Sequence, residues 1–141
     1  MDIKLDPEIK KILIVDDNTD FIVLTKRILS NYETSVVSVT NGKKALEYVN
    51  KELPDIIILD VLMTKMNGFK VCEALKLNPK TKGVPVIMCS SLGVGVRSMQ
   101  DRSTKADGYL GKPFTANELI KKINSTIKKV QARQIKNETS D

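Results

Sequence analysis

The sequence predicts an α/β fold: one parallel β-sheet covered by helices on both faces. Three observations carry that prediction. Residues 12–15 (ILIV) and 56–59 (IIIL) are unbroken aliphatic runs of strand length, which suits strands buried on both sides rather than on one. Such runs alternate along the chain with stretches of helical periodicity. The strand runs also end on polar groups, as an open parallel sheet requires where its carboxyl edge meets solvent.

Residues 1–10 read as a polar lead-in, with Ile3, Leu5 and Ile9 docking loosely. Residues 12–15 form the first strand and end on Asp16 and Asp17. Asn18-Thr19-Asp20 offers an N-cap for a helix through about Ser30, with Phe21, Leu24, Ile28 and Leu29 on one face. Residues 34–40, holding Val36, Val37 and Val39, form a second strand. Asn41-Gly42 opens a short helix carrying Ala45, Leu46 and Val49. The third strand, 55–60, ends on Asp60; Asn67-Gly68 then leads into a helix with Phe69, Val71, Cys72 and Leu75, closed by Asn78-Pro79. Gly83 and Pro85 bracket a fourth strand over 84–89, followed by Ser90-Ser91. Residues 92–105 are the weakest helix, because Gly93 and Gly95 interrupt them. Tyr109 and Leu110 make a short last strand before Lys112-Pro113. Thr115 to Glu118 is a capping box, and Leu119, Ile120, Ile123, Ile127 and Val130 give the last helix its stripe. Residues 131–141 (QARQIKNETSD) are polar and read as a disordered tail or linker stub. Five strands alternating with five helices over residues 11–130 fit a doubly wound (βα)5 sheet of flavodoxin-like strand order 2-1-3-4-5.

Composition narrows the function. With 41% hydrophobic and 28% charged residues, the 141-residue chain reads as one soluble domain. No apolar run reaches the roughly 20 residues of a membrane span, and the N-terminus lacks the apolar core of a secretory signal. The expected compartment is the cytoplasm, with Cys72 and Cys89 reduced and buried. There is no histidine, which removes His-based triads and most zinc sites. The net charge of +6 raises the question of nucleic acid, but aromatic residues are only 4%. The basic excess therefore reads as a solvated face or a surface for an acidic partner, with DNA binding disfavoured.

Parallel strands present all their carboxyl ends on one edge. That edge should collect Asp16 and Asp17 from the first strand, Asp60 from the third, Ser90 from the fourth and Lys112 from the fifth. Taken singly, each also reads as a turn or cap residue. Together, three carboxylates repel one another unless a cation joins them. Oxygen donors without His or Cys select a hard ion, Mg²⁺ first and Mn²⁺ as an alternative. A carboxylate beside such an ion is a nucleophile suited to phosphorus, and a lysine and a hydroxyl can stabilise the transferring phosphoryl group.

In the segments ILIVDD, DIIILDVLM with the following MNG, PVIMCSS and GYLGKPF, the chain resembles the receiver domains of two-component response regulators, of the stand-alone chemotaxis-regulator kind. The resemblance covers about residues 10–130. It implies a phosphoacceptor that takes part in its own phosphorylation and autodephosphorylation but is not an enzyme with a separate substrate. Asp60 would be phosphorylated in a Mg²⁺-dependent reaction by a sensor histidine kinase or a histidine phosphotransfer protein. Asp16, Asp17, Asp60 and the backbone carbonyl of Leu62 would hold the metal. Ser90, Ser91, Lys112 and Tyr109 would bind phosphate or switch, and the bond before Pro113 would be cis. Leu62 and Leu92, two residues after Asp60 and Ser90, would tune dephosphorylation by shielding the phosphoryl group from water. Thr64 stands where the family usually has proline, and Ser90 replaces the commoner threonine.

The resemblance further implies a downstream protein partner on the face made by the weak helix, the last strand and the last helix. Arg97, Arg102, Lys105, Lys121 and Lys122 lie in those segments and suit an acidic partner. The chain would be a monomer or a phosphorylation-dependent dimer, either stand-alone or the receiver piece of a longer regulator. Three rivals are weaker. A haloacid-dehalogenase-type phosphohydrolase needs a second Asp where Leu62 stands. Dinucleotide binding lacks the third glycine after Gly93 and Gly95. A phosphorylation-independent, receiver-like interaction module would not need the intact set of Asp16, Asp17, Asp60, Ser90 and Lys112.

Overall fold

The structure is a computed structural model that describes residues 3–63, 65–91 and 105–139. Five parallel strands form one sheet: β1 (Lys11–Val15), β2 (Ser35–Val39), β3 (Ile56–Asp60), β4 (Val86–Ser90) and β5 (Gly108–Gly111). Their order across the sheet is β2-β1-β3-β4-β5, as expected. Four helices are described: α1 (Thr19–Leu29), α2 (Gly42–Lys51), α3 (Gly68–Leu77) and α4 (Ala116–Thr139). The weak helix expected over 92–105 lies outside the described residues, apart from Lys105.

Strand alternation divides the interior in two. Leu13, Val15, Ile57, Leu59, Val86 and Met88 face one way and pack on Ala45 and Val49 of α2 and Val71, Cys72 and Leu75 of α3. Ile12, Ile14, Ile56, Ile58, Ile87 and Cys89 face the other way and pack on Ile22 and Leu29 of α1 and Leu119, Ile120, Ile123 and Ile127 of α4. Each of these large side chains contributes about 1.5–3 kcal/mol when fully buried, so both layers are needed to hold the central strands. Both cysteines are buried and free. No helix among the described residues is long and apolar enough to cross a membrane.

The helix starts are chemically marked. Asn18, Asn41 and Asn67 each accept a hydrogen bond from a first-turn N–H at α1, α2 and α3. At α4 the capping box is complete: the Thr115 N–H donates to Glu118 Oε1 at 2.9 Å and the Glu118 N–H to Thr115 Oγ1 at 3.1 Å.

Two expectations are corrected. The apolar face of α1 is only partly as expected: Leu29 is buried and Ile28 packs on the core, but Leu24 is exposed and Ile22 and Thr25 are buried in its stead. Phe21, Leu24 and Ile28 repeat with the same spacing, and the polar hydroxyl of Thr25 hid the true stripe. At the other end, residues 131–139 are helical rather than disordered. The apolar stripe stops at Val130, but polar contacts carry the helix on. Arg133 pairs with Asp107, Gln131 donates to Glu8 Oε2 at 2.6 Å, and the Gln134 amide reaches the Gly83 carbonyl at 3.5 Å. The lead-in also docks, with Ile9 fully buried and Ile3 and Leu5 packed against the α1/α4 layer.

Candidate functional site

The carboxyl edge of the sheet gathers the polar strand ends. Register places Asp60 beside Cys89 and Ser90 beside Gly111, so the ends of β3, β4 and β5 lie close to level. One carboxylate oxygen from each of Asp16, Asp17 and Asp60 lies within 4.8 Å of the others. Asp16 and Asp60 are buried and Asp17 is exposed, which leaves the cluster open on one side. Lys112 enters from β5. Its N–H donates to the Ser90 carbonyl at 2.8 Å, the Lys112–Pro113 bond is cis as expected, and the ammonium reaches Asp16 Oδ2 at 2.6 Å and Asp60 Oδ1 at 3.3 Å.

Charge balance at the site is uneven. Burial pushes the Asp60 carboxyl up from its ordinary value, and the charge of Asp16 adds to that; Lys112 and the Leu62 N–H oppose the shift without cancelling it. Burial acts to lower the Lys112 ammonium, but the hydrogen bond and charge of Asp16, then the charge of Asp60, outweigh it and hold it above its ordinary value. The site therefore has more negative charge than one lysine settles. Its donors are all oxygen, and the open side falls at Asp17. Those features fit Mg²⁺, which favours carboxylate oxygens with several waters retained. Burial favours the protonated thiol at both cysteines, pushing Cys89, beside the site, up to about 12 and Cys72, in the α2/α3 layer, up to about 11.

Ser90 is buried at the end of β4 and Ser91 is exposed beside it. Tyr109 is half-buried and packs against the α2/α3 layer; burial, then the neighbouring Cys72 and Asp107, push its hydroxyl up. Leu62 is 53% exposed beside the acids, a position from which a leucine can cover them. Leu92 and Thr64, and with them Arg97 and Arg102, lie outside the described residues.

Two residues matter here in ways the sequence reading missed. Periodicity puts Phe21 on the core face of α1, but its ring lies under Lys112, with the ammonium 3.8 Å from the ring centroid. Phe114, two residues past Lys112, meets Phe21 edge-to-face at 5.6 Å. By sequence Gly68 is only a helix opener. A Cβ there would lie 2.2 Å from the Asp60 carbonyl oxygen, and the Gly68 N–H donates to the Val61 carbonyl at 2.8 Å. The sequence signal for Gly68 is general only: glycine is the residue that lets main chain approach closely. For Phe21 no local pattern points to a lysine 91 positions away.

Comparison with known proteins agrees with this arrangement. Residues 12–124 match the model of the response regulator receiver domain. A probable transcriptional regulator of Guillardia theta, ycf27, is 33% identical over 129 residues, covering 92% of this chain and 49% of that protein. The chain thus spans about half the length of that curated relative. The chemotaxis protein CheY4 of Vibrio cholerae superposes with a TM-score of 0.76 at 27% identity, covering 84% of this chain and 98% of that one. The receiver domain of a signal transduction histidine kinase from Syntrophus aciditrophicus gives 0.74 at 31% identity, covering 84% and 90%. A match that runs from the first strand into the last helix settles the family, and the chain belongs to the response regulator receiver domains.

Proposed function

We propose that Asp60 is the phosphoacceptor of this receiver domain, and that a sensor histidine kinase or histidine phosphotransfer protein supplies the phosphoryl group. The observation that supports it is the meeting of Asp60 with Asp16 and Asp17 on one side and Lys112 on the other, at one sheet edge. An Asp60 carboxylate oxygen attacks phosphorus, the P–O bond of the acyl phosphate forms, and the bond to the donor's leaving group breaks. Asp16, Asp17, Asp60 and the Leu62 carbonyl would hold Mg²⁺, which neutralises charge on the phosphoryl oxygens. Lys112 provides an ammonium and Ser90 a hydroxyl for those same oxygens, and Phe21 keeps Lys112 aimed at them. Leu62 would cover the acyl phosphate against water, and Leu92 is proposed for the same role from its place in the chain two residues after Ser90.

Ser90 and Tyr109 lie on the neighbouring strands β4 and β5, so a phosphoryl group held by the Ser90 hydroxyl acts next to Tyr109. The reading places the response on the face of β5 and α4, where Lys121 is exposed and an acidic protein partner fits. It places the protein in the cytoplasm with its kinase. The test is incubation with acetyl phosphate with and without Mg²⁺, read by intact mass. The wild type gains one phosphate only with the metal, and Asp60→Asn gains none. Phosphate on the Asp60→Asn chain at the same level would overturn the assignment.

A further inference from the structure

At the amino edge of the sheet, opposite the acids, lies a cleft of about 770 Å³. The loop between α3 and β4 forms one wall with Lys80 and Lys82, and the extended end of α4 forms the other with Arg133, Gln134 and Asn137; Lys105 also lines it. Among the described residues Asp107 is the only carboxylate lining it, and it is committed: its Oδ2 accepts from Lys76 at 2.8 Å and from the Val86 N–H at 2.9 Å, while Oδ1 is held by Arg133. Among the described residues Lys80, Lys82 and Lys105 pair with no carboxylate, and Lys80 reaches only the Asn50 carbonyl, at 3.0 Å. Cations on a protruding surface are screened by water, but cations lining a concavity concentrate their field within it.

A second cleft of about 350 Å³ adjoins, sharing Lys80, Gly83 and Gln134 with the first. Leu53 lines it and is 48% exposed, so an apolar shelf sits beside the cationic wall; Asp55 lines it too, its Oδ2 already accepting from the Lys10 and Lys11 N–H groups at 2.7 and 2.8 Å. Among the described residues no aromatic ring lines either cleft, so unpaired bases would find nothing to stack on. The side-chain amides of Gln134 and Asn137 can both donate to and accept from a peptide backbone.

We propose that this double cleft docks an extended acidic segment of a partner protein. Its carboxylates meet Lys80, Lys82 and Lys105, and an apolar side chain rests on Leu53. The site is distinct from the acid cluster and does not depend on phosphorylation.

The experiment is fluorescence anisotropy of the full chain with a labelled peptide, Glu-Asp-Leu-Glu-Glu-Leu-Asp-Glu. Its Gln/Asn analogue and single- and double-stranded oligonucleotides serve as competitors. Binding of the acidic peptide should fall about tenfold or more in Lys80→Glu/Lys82→Glu and several-fold in Leu53→Ser. The same charge change on α2, Lys43→Glu/Lys44→Glu, should leave it nearly intact. Denaturation midpoints confirm folding, and acetyl phosphate labelling of Asp60 should be unchanged in all variants. Equal loss in the α2 variant would show a response to net charge alone and overturn the proposal, as would equal binding of the neutral analogue. An oligonucleotide that binds more tightly than the peptide would overturn it in favour of nucleic acid.

Discussion

Replacing Gly68 by alanine sets two effects of opposite sign against each other. Gly68 opens α3 with a negative φ, so alanine suffers no backbone strain there. With room for the methyl, the stiffer unfolded chain would stabilise the protein by about 0.4–1 kcal/mol. There is no room. The new Cβ would lie 2.2 Å from the Asp60 carbonyl oxygen, 2.9 Å from Val61 Cα and 3.0 Å from the Asp60 carbonyl carbon. Ordinary contact begins at 3.4 Å, so α3 and the end of β3 must part by more than an ångström. All three neighbours are main chain, which no rotamer change can relieve. Overpacking of this kind costs about 1–3 kcal/mol or more and outweighs the entropic gain. Gly68→Ala should therefore destabilise by about 1–3 kcal/mol in denaturant titration, a fall of a few to about 10 °C in Tm. Because one side of the clash is the peptide of Asp60, phosphorylation by acetyl phosphate should also slow at temperatures where the variant is folded. Gly111 supplies the control, since a Cβ there meets nothing within 4 Å. Gly111→Ala should leave stability unharmed or raise it by about 0.4–1 kcal/mol. A Gly68→Ala protein as stable as wild type and phosphorylated at the same rate would refute the reasoning.

Mg²⁺ at 100 times its Kd should stabilise the wild type by about 2.7 kcal/mol, and Asp17→Ala should remain folded yet lose that gain in a thermal melt with and without EDTA. For metal-free protein the raised Asp60 carboxyl has a defined sign: its contribution to stability is fully present below the ordinary carboxylate pKa and is lost as pH rises through the raised folded value. Asp60→Asn should flatten the stability profile across that window, and denaturation at a series of pH values in EDTA checks it. Phe21→Leu removes the ring face but keeps much of the apolar bulk, so about 0.5–2 kcal/mol of cation–π attraction on Lys112 goes. Its phosphorylation should slow several-fold while Phe21→Tyr stays near wild type; equal rates would remove Phe21 from the site. Leu62→Asn with Leu92→Glu should speed loss of phosphate from the purified phosphoprotein with little change in metal affinity, and an unchanged decay would show that water reaches the acyl phosphate by another route.

The fold was legible because burial on both faces leaves continuous aliphatic runs, and the strand order followed from their number and alternation. The site was legible because a parallel sheet collects its strand ends, so Asp16, Asp17, Asp60, Ser90 and Lys112 could be brought together from chain position alone. What escaped depends on contacts rather than periodicity. Thr25 is buried whole, its hydroxyl without a hydrogen-bond partner among the described residues, and no hydropathy pattern distinguishes it from an exposed threonine. Residues 131–139 have no apolar stripe, and their helix is supported by Glu8, Gly83 and Asp107, each far away in the chain. Phe21 fits a core stripe and a lysine platform equally well until β5 is in place.

The division of the interior by strand alternation sets how such a sequence can drift. Leu13 and Ile14 are chain neighbours but belong to different layers, one packed on α2 and α3 and the other on α1 and α4. Volume-conserving exchanges within one layer are absorbed by that layer's own helices, with the sheet as a partition. Descendants can therefore reshape the helices on one side, and with them the surface shown to other molecules, while the opposite side keeps its packing. Asp60 is fixed by β3, which both layers hold in place, so its inheritance is separate from either. Phosphoryl chemistry can stay constant while the company the protein keeps diversifies one face at a time.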